Sequence, residues 1–188
     1  MTFEGGGVAN LPVPGLTAPT PGTFDSSAWW NTNVYTLLTY GLNEPAFLGT
    51  QTIAQSTANN VWSTLTIDTE QVDTYGGHST TTNSSKYVAQ VDGWYIVCGV
   101  VSMSANASGQ RGARIHVNGT VVQGSTGLIA TVTSGSVTGV ATPVRAVFLA
   151  TGDAVELGSF QSSGNPLATA VAAGGDLASA LYVGWCHT

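Results

Sequence analysis

The chain has 188 residues, of which 43% are hydrophobic and 7% charged, and its formal net charge is −6. An average soluble domain has about 25% charged residues, so neutral polar side chains must cover much of this surface. The only strong cations are Lys86, Arg111, Arg114 and Arg145. They are too few for the basic face that a nucleic-acid-binding protein needs, so this class is excluded.

A membrane or secretory role is not indicated either. No stretch approaches the roughly 18 consecutive apolar residues of a membrane-spanning helix. Met1–Gly5 lacks the basic region and apolar core that begin a secretory signal. The length favours one domain of ordinary size with a short appendage, and we expect no membrane partner.

Residues 1–24 are predicted to form an extended arm rich in Pro and Gly. The prolines in Leu11–Gly15 and Ala18–Gly22 block a helix and disfavour a central strand, which leaves polyproline-like backbone. The arm has too many apolar side chains for a pure spacer, namely Phe3, Val8, Leu11, Val13 and Leu16. We therefore expect the arm to bind the surface of a partner.

Residues 25–44 are predicted to form a short helix and a connector, with Asp25 or Ser26 as the N-cap. Positions i, i+4, i+7 and i+8 carry one apolar stripe of Trp30, Val34, Leu37 and Leu38. A helix of this length does not persist alone in water. The stripe must therefore pack on the main domain or on the same helix of sister subunits.

Residues 45–188 are predicted to form an all-β jelly-roll sandwich of about ten strands, because short alternating segments recur at about ten-residue spacing. Asn118-Gly119 predicts a type I′ hairpin, since both turn positions need positive φ. The predicted strands are Phe47–Ile53, Val61–Ile67, Lys86–Val91, Trp94–Met103, Ala113–Val117, Thr120–Gln123, Leu128–Thr133, Val140–Ala150, Ala154–Phe160 and Ala178–Cys186.

Segments in this region have the order and spacing of one known superfamily. They are Asp92–Val97, Arg114–Gly119, Val144–Leu149, Gly152–Leu157 and Ala178–Trp185. Together they resemble the tumour necrosis factor and complement globular-head jelly rolls, which share a G-x-Y start of a central strand and a late L-x-x-GD-x-V-x-L pattern. The resemblance covers residues 45–188 and implies a homotrimer without enzymatic activity.

A second resemblance is to small structural proteins of tailed bacteriophages, in which a helix of this type precedes a Pro and a β-domain. Here the helix motif is Trp30–Leu38, followed by Pro45. The segments Asp68–Glu70, Asp73–Thr80 and Asn106–Gly112 are also similar. Such proteins are minor tail, head-fibre or capsid-decoration components. The proline-rich arm replaces the collagen stalk of the complement heads. The way in which this domain is attached to its partner must therefore differ from theirs.

No constellation of residues predicts catalysis. The histidines are His78, His116 and His187, and no G-x-S-x-G elbow accompanies them. A Ser-His-Asp site needs a His held between an acid and a Ser, so we expect structural, hydrogen-bonded histidines, no enzyme and no cofactor.

The segment Asp68–His78 gathers Asp68, Glu70, Asp73 and His78 in a Gly-containing loop. Oxygen ligands in such a loop could hold calcium. The spacing matches no defined loop motif, however, so a solvated, well-ordered loop without metal is the expectation.

Two further sets of residues leave alternatives open. Cys98 and Cys186 lie in predicted strands, either as small buried hydrophobic residues or as a bridge between neighbouring strands. The arginines either stay solvated or form ion pairs between subunits, with Arg111, Arg114, Arg145 and Asp153 as the candidates.

Taken together, these features predict a homotrimeric capsid-decoration or head-fibre protein, made in the host cytoplasm and attached to the virion exterior by its arm. Its partners would be itself and the major capsid or tail protein. Tyr95, Phe148, Phe160 and Tyr182 are candidates for the core or the trimer axis. The alternative is a minor tail or receptor-binding module that recognises a host cell-surface glycan. The predicted loop tips contain no aromatic residue for such binding, which favours the structural role.

Overall fold

The structure, a computed structural model, describes residues 27–131, 136–171 and 176–187. Of Thr32, only the backbone is described. The predicted arm and its apolar residues, Phe3, Val8, Leu11, Val13 and Leu16, lie outside the described residues, as do the proposed capping residues Asp25 and Ser26.

The predicted short helix is confirmed over residues 27–42, which we call the N-terminal helix. It begins as α1 (Ser27–Trp30), widens into a π-helical segment (Asn31–Tyr35) and ends as α2 (Thr36–Leu42). The π segment is held by a side chain as well as by backbone, since Thr36 Oγ1 donates to Asn31 O at 2.7 Å. In the part of the chain that the structure describes, no helix has the length and apolarity to cross a membrane.

Fourteen strands follow within the described ranges. They are β1 Ala46–Thr50, β2 Ser56–Thr57, β3 Ser63–Thr64, β4 Thr69–Asp73, β5 Lys86–Val88, β6 Gly93–Met103, β7 Gln110–Val117, β8 Thr120–Val121, β9 Gly127–Ala130, β10 Thr138–Ala141, β11 Arg145–Leu149, β12 Ala154–Gln161, β13 Leu167–Ala168 and β14 Ala180–His187.

The strands pair antiparallel in two sheets that form a sandwich, which confirms the predicted jelly-roll class. Sheet A has the order β10-β6-β14-β1-β4, with β11 beside the first half of β6. Sheet B has the order β3-β12-β7-β8, with β5 also beside β12 and β9 beside β7. A small ribbon pairs β2 with β13.

The core lies between the two sheets and follows the two-residue alternation of the strands. Sheet A contributes Phe47, Tyr95 and Leu181, and sheet B contributes Ile115 and Leu157, all of them 0% exposed. These side chains pack into one hydrophobic cluster. Burial of this kind is the main stabilising term of a sandwich.

The observed strands differ from the predicted ones where proline or polarity intervenes. Val140–Ala150 is two strands, β10 and β11, because Pro143 lies between them and cannot donate to a ladder. Both strands nevertheless pair with β6. In Val61–Ile67 only Ser63–Thr64 pairs as a strand. The predicted loop after Asp68 contains strand β4, an edge strand whose polar composition concealed it.

The predicted type I′ hairpin is confirmed. Asn118 has φ of 50° and Gly119 has φ of 76°, and the turn joins β7 to β8. Asn118 also holds the next turn, because its amide Nδ2 donates to Asp153 Oδ1 at 2.7 Å.

Candidate self-association face

The outward side of sheet A is almost free of charge. Strands β1, β6, β10 and β14 contain no Asp, Glu, Lys or Arg. Strand β11 contains Arg145, which lies on the same side of the strand as Leu149, a residue of the interior. Most outward positions of these strands are filled by apolar side chains, with Thr50 and Ser102 as polar exceptions.

Strand alternation explains which residues reach this side. In β6, Tyr95, Val97 and Val101 point into the core and are 0% exposed, so the residues between them must point outward. The resulting surface, which we call the apolar face, is formed by Leu48, Trp94, Ile96, Cys98, Val100, Ala141, Val144, Ala146, Phe148, Ala180 and Tyr182.

Several large side chains of the apolar face are left open in the single chain. Val144 is 60% exposed, Phe148 53%, Trp94 41% and Tyr182 39%. Trp94 and Phe148 are opposite each other in the ladder and meet edge to face at 6.0 Å between ring centroids. Isolated exposed apolar residues are normal on a protein, but a contiguous patch of them marks an interaction surface.

The centre of the apolar face is a shallow depression of about 340 Å³. The Tyr182 side chain lies along its own strand over Gly184, where an added Cβ would meet the Tyr182 hydroxyl at 2.3 Å. The rest of the lining is aliphatic apart from Cys98 and Thr142, and includes Val100 and Val144. Thr142 uses its hydroxyl to accept the Gly99 N–H at 2.9 Å. The depression can therefore accommodate an apolar group, and it presents few polar groups for hydrogen bonding.

Cys98 lies on this face and Cys186 lies further along β14, and both thiols are free. Cys98 is opposite Tyr182 in the ladder, so the two cysteines are too far apart in register for a bridge. The interpretation of both as buried is wrong for Cys186, which is exposed near the end of the last strand. Burial raises the pKa of the Cys98 thiol.

The outward side of sheet B has a different chemistry. The guanidinium carbon of Arg114 lies 4.0 Å from the centroid of the Trp62 ring, and Trp62 also packs against Phe160 at 5.1 Å. Arg114 Nε donates to His116 Nε2 at 2.9 Å. Burial, and secondarily the charge of Arg114, lowers the pKa of His116, although Glu156 acts in the opposite direction.

Two of the other predicted ion-pair residues, Arg111 and Asp153, have partners inside the chain. Arg111 is 0% exposed and donates to the carbonyl oxygens of Asn106, Ser108 and Gln110 at 2.9–3.0 Å. A neighbouring subunit therefore cannot reach its guanidinium, because the loop before β7 encloses it. Asp153 accepts from Asn118 and from the Ala150 N–H. Pairing of Arg114, Arg145 or Asp153 across subunits stays a prediction.

In the segment Asp68–His78, the carboxylates bind donors of the protein itself. Asp68 accepts the backbone N–H groups of Thr52 and Ile53, each at 2.7 Å, and Asp73 accepts those of Gly77 and His78. Glu70 Oε1 lies 2.9 Å from His78 Nδ1. Among the described residues, no three His, Cys, Asp or Glu side chains converge as metal ligands would.

The helix stripe does not pack on the sandwich of the same chain. Trp30 is 53% exposed, Leu37 37% and Leu38 60%, and Val34 is half-buried. The helix reaches the sandwich through Tyr40, which is 3% exposed and meets Trp185 edge to face at 5.3 Å. The sandwich of the same chain therefore leaves most of the stripe exposed, and packing on the same helix of sister subunits stays a prediction.

The candidate axis or core aromatics are divided among three places. Tyr95 is in the core, Phe148 and Tyr182 are on the apolar face, and Phe160 is on the outward side of sheet B. Trp94 and Val144 were not among the sequence candidates. The absence of charge from whole strands is the signal that could have found them.

The fold was compared with solved structures. The globular domain of zebrafish complement 1qA protein superposes with a TM-score of 0.53 at 13% identity, over 77% of this chain and 100% of that chain. Eiger, a TNF of S. frugiperda, gives 0.53 at 10% identity, over 78% and 95%. Murine APRIL at pH 5.0 gives 0.54 at 10% identity, over 75% and 98%.

No protein-family model matches the sequence. No curated protein matches it either. At 10–13% identity the superpositions establish the fold alone. The chain therefore has a jelly-roll fold of the tumour necrosis factor and complement C1q type, with one uncharged outer face.

Proposed function

We propose that the protein is a non-enzymatic structural protein of a virion. It assembles as a homotrimer through the apolar face. The trimer lies on the exterior of the particle as a decoration or head-fibre component. The single observation that carries the proposal is the apolar face, a contiguous outer sheet surface whose strands β1, β6, β10 and β14 hold no charged side chain.

The energetics favour covering this face with further copies of the chain. Each square ångström of apolar surface removed from water stabilises the covered state by about 25 cal/mol, so an interface of about 1,500 Å² can offset the cost of association. A closed ring of three copies buries the face on every subunit and leaves none exposed. Three copies are also the state that the resemblance to the tumour necrosis factor jelly rolls implies.

Attachment to the particle is assigned to the arm, residues 1–24. Its apolar residues Phe3, Val8, Leu11, Val13 and Leu16 are suited to lie on a protein surface. In a trimer, three arms act together, and their effective concentration makes a weak contact per arm sufficient. The assignment to a virus rests on the resemblance of Trp30–Leu38 and the segments after it to phage structural proteins.

The assembly is tested by placing a charge on the apolar face. Val144→Asp puts a carboxylate into the central depression, and we expect a monomeric mass by light scattering where the wild type gives three chains. Val61→Asp is the matched control, since Val61 is 50% exposed against 60% for Val144 but lies outside the apolar face. The control is expected to stay trimeric. A monomeric wild type, or equal masses for the two variants, would overturn the assembly.

The location is tested on purified particles of the virus that encodes the chain, by antibody labelling and electron microscopy. Label on the head exterior, lost when residues 1–24 are deleted, is the expected result. Absence of the protein from the particles would overturn the virion assignment. Label on the tail, together with binding of the trimer to cell-wall glycan, would favour the receptor-binding alternative.

A further inference from the structure

The N-terminal helix carries a continuous apolar stripe at four-residue spacing. Trp30, Leu38 and Leu42 are 53%, 60% and 88% exposed, and Val34 lies between them. In a regular α-helix four residues advance by about 400°, so such a stripe would drift by about 40° per step. The π segment at Asn31–Tyr35 has a wider turn and takes back part of this drift. The helix therefore keeps one straight seam.

The helix has no charged side chain that would favour exposure of this seam to water. Residues 27–42 include no Asp, Glu, Lys or Arg. The hydroxyls of Thr36 and Thr39 donate to the carbonyl oxygens of Asn31 and Tyr35 at 2.7 and 2.8 Å, and thus bond to the helix itself. No charge repulsion opposes the approach of an identical helix.

The direction of the seam is fixed by Tyr40. This residue is two positions from both Leu38 and Leu42, which is about 200° around the helix from each. Tyr40 packs on Trp185 of β14, so the side opposite the sandwich is the side that carries the seam. Asn43–Pro45 alone connects the helix to β1, and the Pro45 carbonyl accepts the Trp185 N–H at 2.9 Å. The helix end is thereby held against the sheet that bears the apolar face.

We propose that the N-terminal helices of three copies associate through this seam as a parallel three-helix bundle at the end of the trimer. The inference rests on the proposed self-association, which brings three copies of β1 around one axis. Three residues span at most about 10 Å, so each helix end stays near its own β1, and three-fold symmetry makes the three helices point the same way along the axis. The bundle covers the stripe that the sandwich of the same chain leaves open, and the arms continue from it towards the particle.

The test uses the full chain with one added cysteine. In a Cys186→Ser background, which removes the exposed thiol, Leu38→Cys places a thiol on the seam. Ala28→Cys is the control on the same helix, because Ala28 is exposed and lies about 200° away from Trp30, another residue of the seam. With a short bis-maleimide we expect covalent dimers from Leu38→Cys, at least about tenfold more than from Ala28→Cys or the background. Far-ultraviolet circular dichroism checks that the helix is retained in each variant.

Light scattering on the same samples separates the two proposals. A trimeric mass with crosslinking confined to Leu38→Cys supports the bundle. A trimeric mass without that crosslink, or with equal crosslinking at both positions, overturns the bundle and leaves the trimer in place. A monomeric or dimeric background protein overturns both.

Discussion

The outward sides of the two sheets use the same strand alternation but opposite chemistry. On sheet B, Arg114 covers Trp62 at 4.0 Å and binds His116, and Glu156 accepts from Ser85 Oγ at 3.2 Å. On sheet A, the corresponding positions hold Trp94, Val144, Phe148 and Tyr182, which are 39–60% exposed. The polar groups of sheet B have partners within their own chain, whereas on sheet A the large side chains stay open to solvent even where two of them, Trp94 and Phe148, contact each other.

The difference shows on which sheet the few charged side chains of this protein lie. Glu156 and His116 are opposite each other on sheet B, and Lys86 is opposite Glu156. Glu156 and His116 are 7% and 6% exposed, so segments of the same chain already cover this side of sheet B and provide partners for its polar groups. The residues of the apolar face of sheet A carry no charge and its large side chains stay exposed, so this face is suited to contact another subunit.

The largest expected effect distinguishes the two sides directly. Trp62→Ala removes a ring that packs on Phe160 and Arg114, and we expect the free energy of unfolding to fall by about 2–3 kcal/mol with the trimeric mass retained. Tyr182→Ser on the apolar face should give the reverse, a weakened trimer with little loss in the stability of each subunit. Urea unfolding and light scattering measure both. If Trp62→Ala dissociated the trimer, the assignment of the subunit interface to sheet A and not to sheet B would be wrong.

A smaller effect concerns the two free cysteines. Cys98 lies in the apolar face and its burial raises the pKa of its thiol, whereas Cys186 is exposed. Because the thiolate is the reactive form, N-ethylmaleimide should modify Cys186 at least about tenfold faster than Cys98. Val144→Asp, which opens the face, should accelerate the modification of Cys98, as followed by mass spectrometry of digested samples. Equal modification rates for both cysteines in the wild type would mean that no other subunit covers the apolar face.

The smallest effect is a pH dependence that belongs to sheet B. Burial and the charge of Arg114 hold the pKa of His116 below its usual 6.5, so the unfolded chain binds the proton first. The free energy of unfolding should therefore decrease as the pH falls below 6.5 and level off once the folded state is also protonated. His116→Gln should lose less stability than the wild type between pH 7.5 and 5.5 in urea titrations. An unchanged loss would place the responsible group elsewhere.

Much of the fold could be predicted from local signals. The hairpin at Asn118-Gly119 follows from two positions that need positive φ, and the alternation in the first half of β6 reflects a sheet with one buried side. Local signals failed where strand identity depends on a neighbour. Strand β4 is polar and pairs only because β1 presents an open edge to it. For this reason the sequence of Asp68–His78 predicts a loop, although the structure places a strand in it.

The sequence by itself determined the class of the protein, a nearly uncharged sandwich with an apolar stripe in front of it, because alternation and composition depend only on the order of residues. The tertiary structure alone decided which apolar residues remain uncovered. Tyr95 and Trp94 are adjacent in the chain, yet one is 0% exposed and the other 41%. Only the packing of sheet B against one side of sheet A separates the two. The tertiary structure also encloses Arg111 in the loop before β7, whereas the sequence left it either solvated or in an ion pair between subunits.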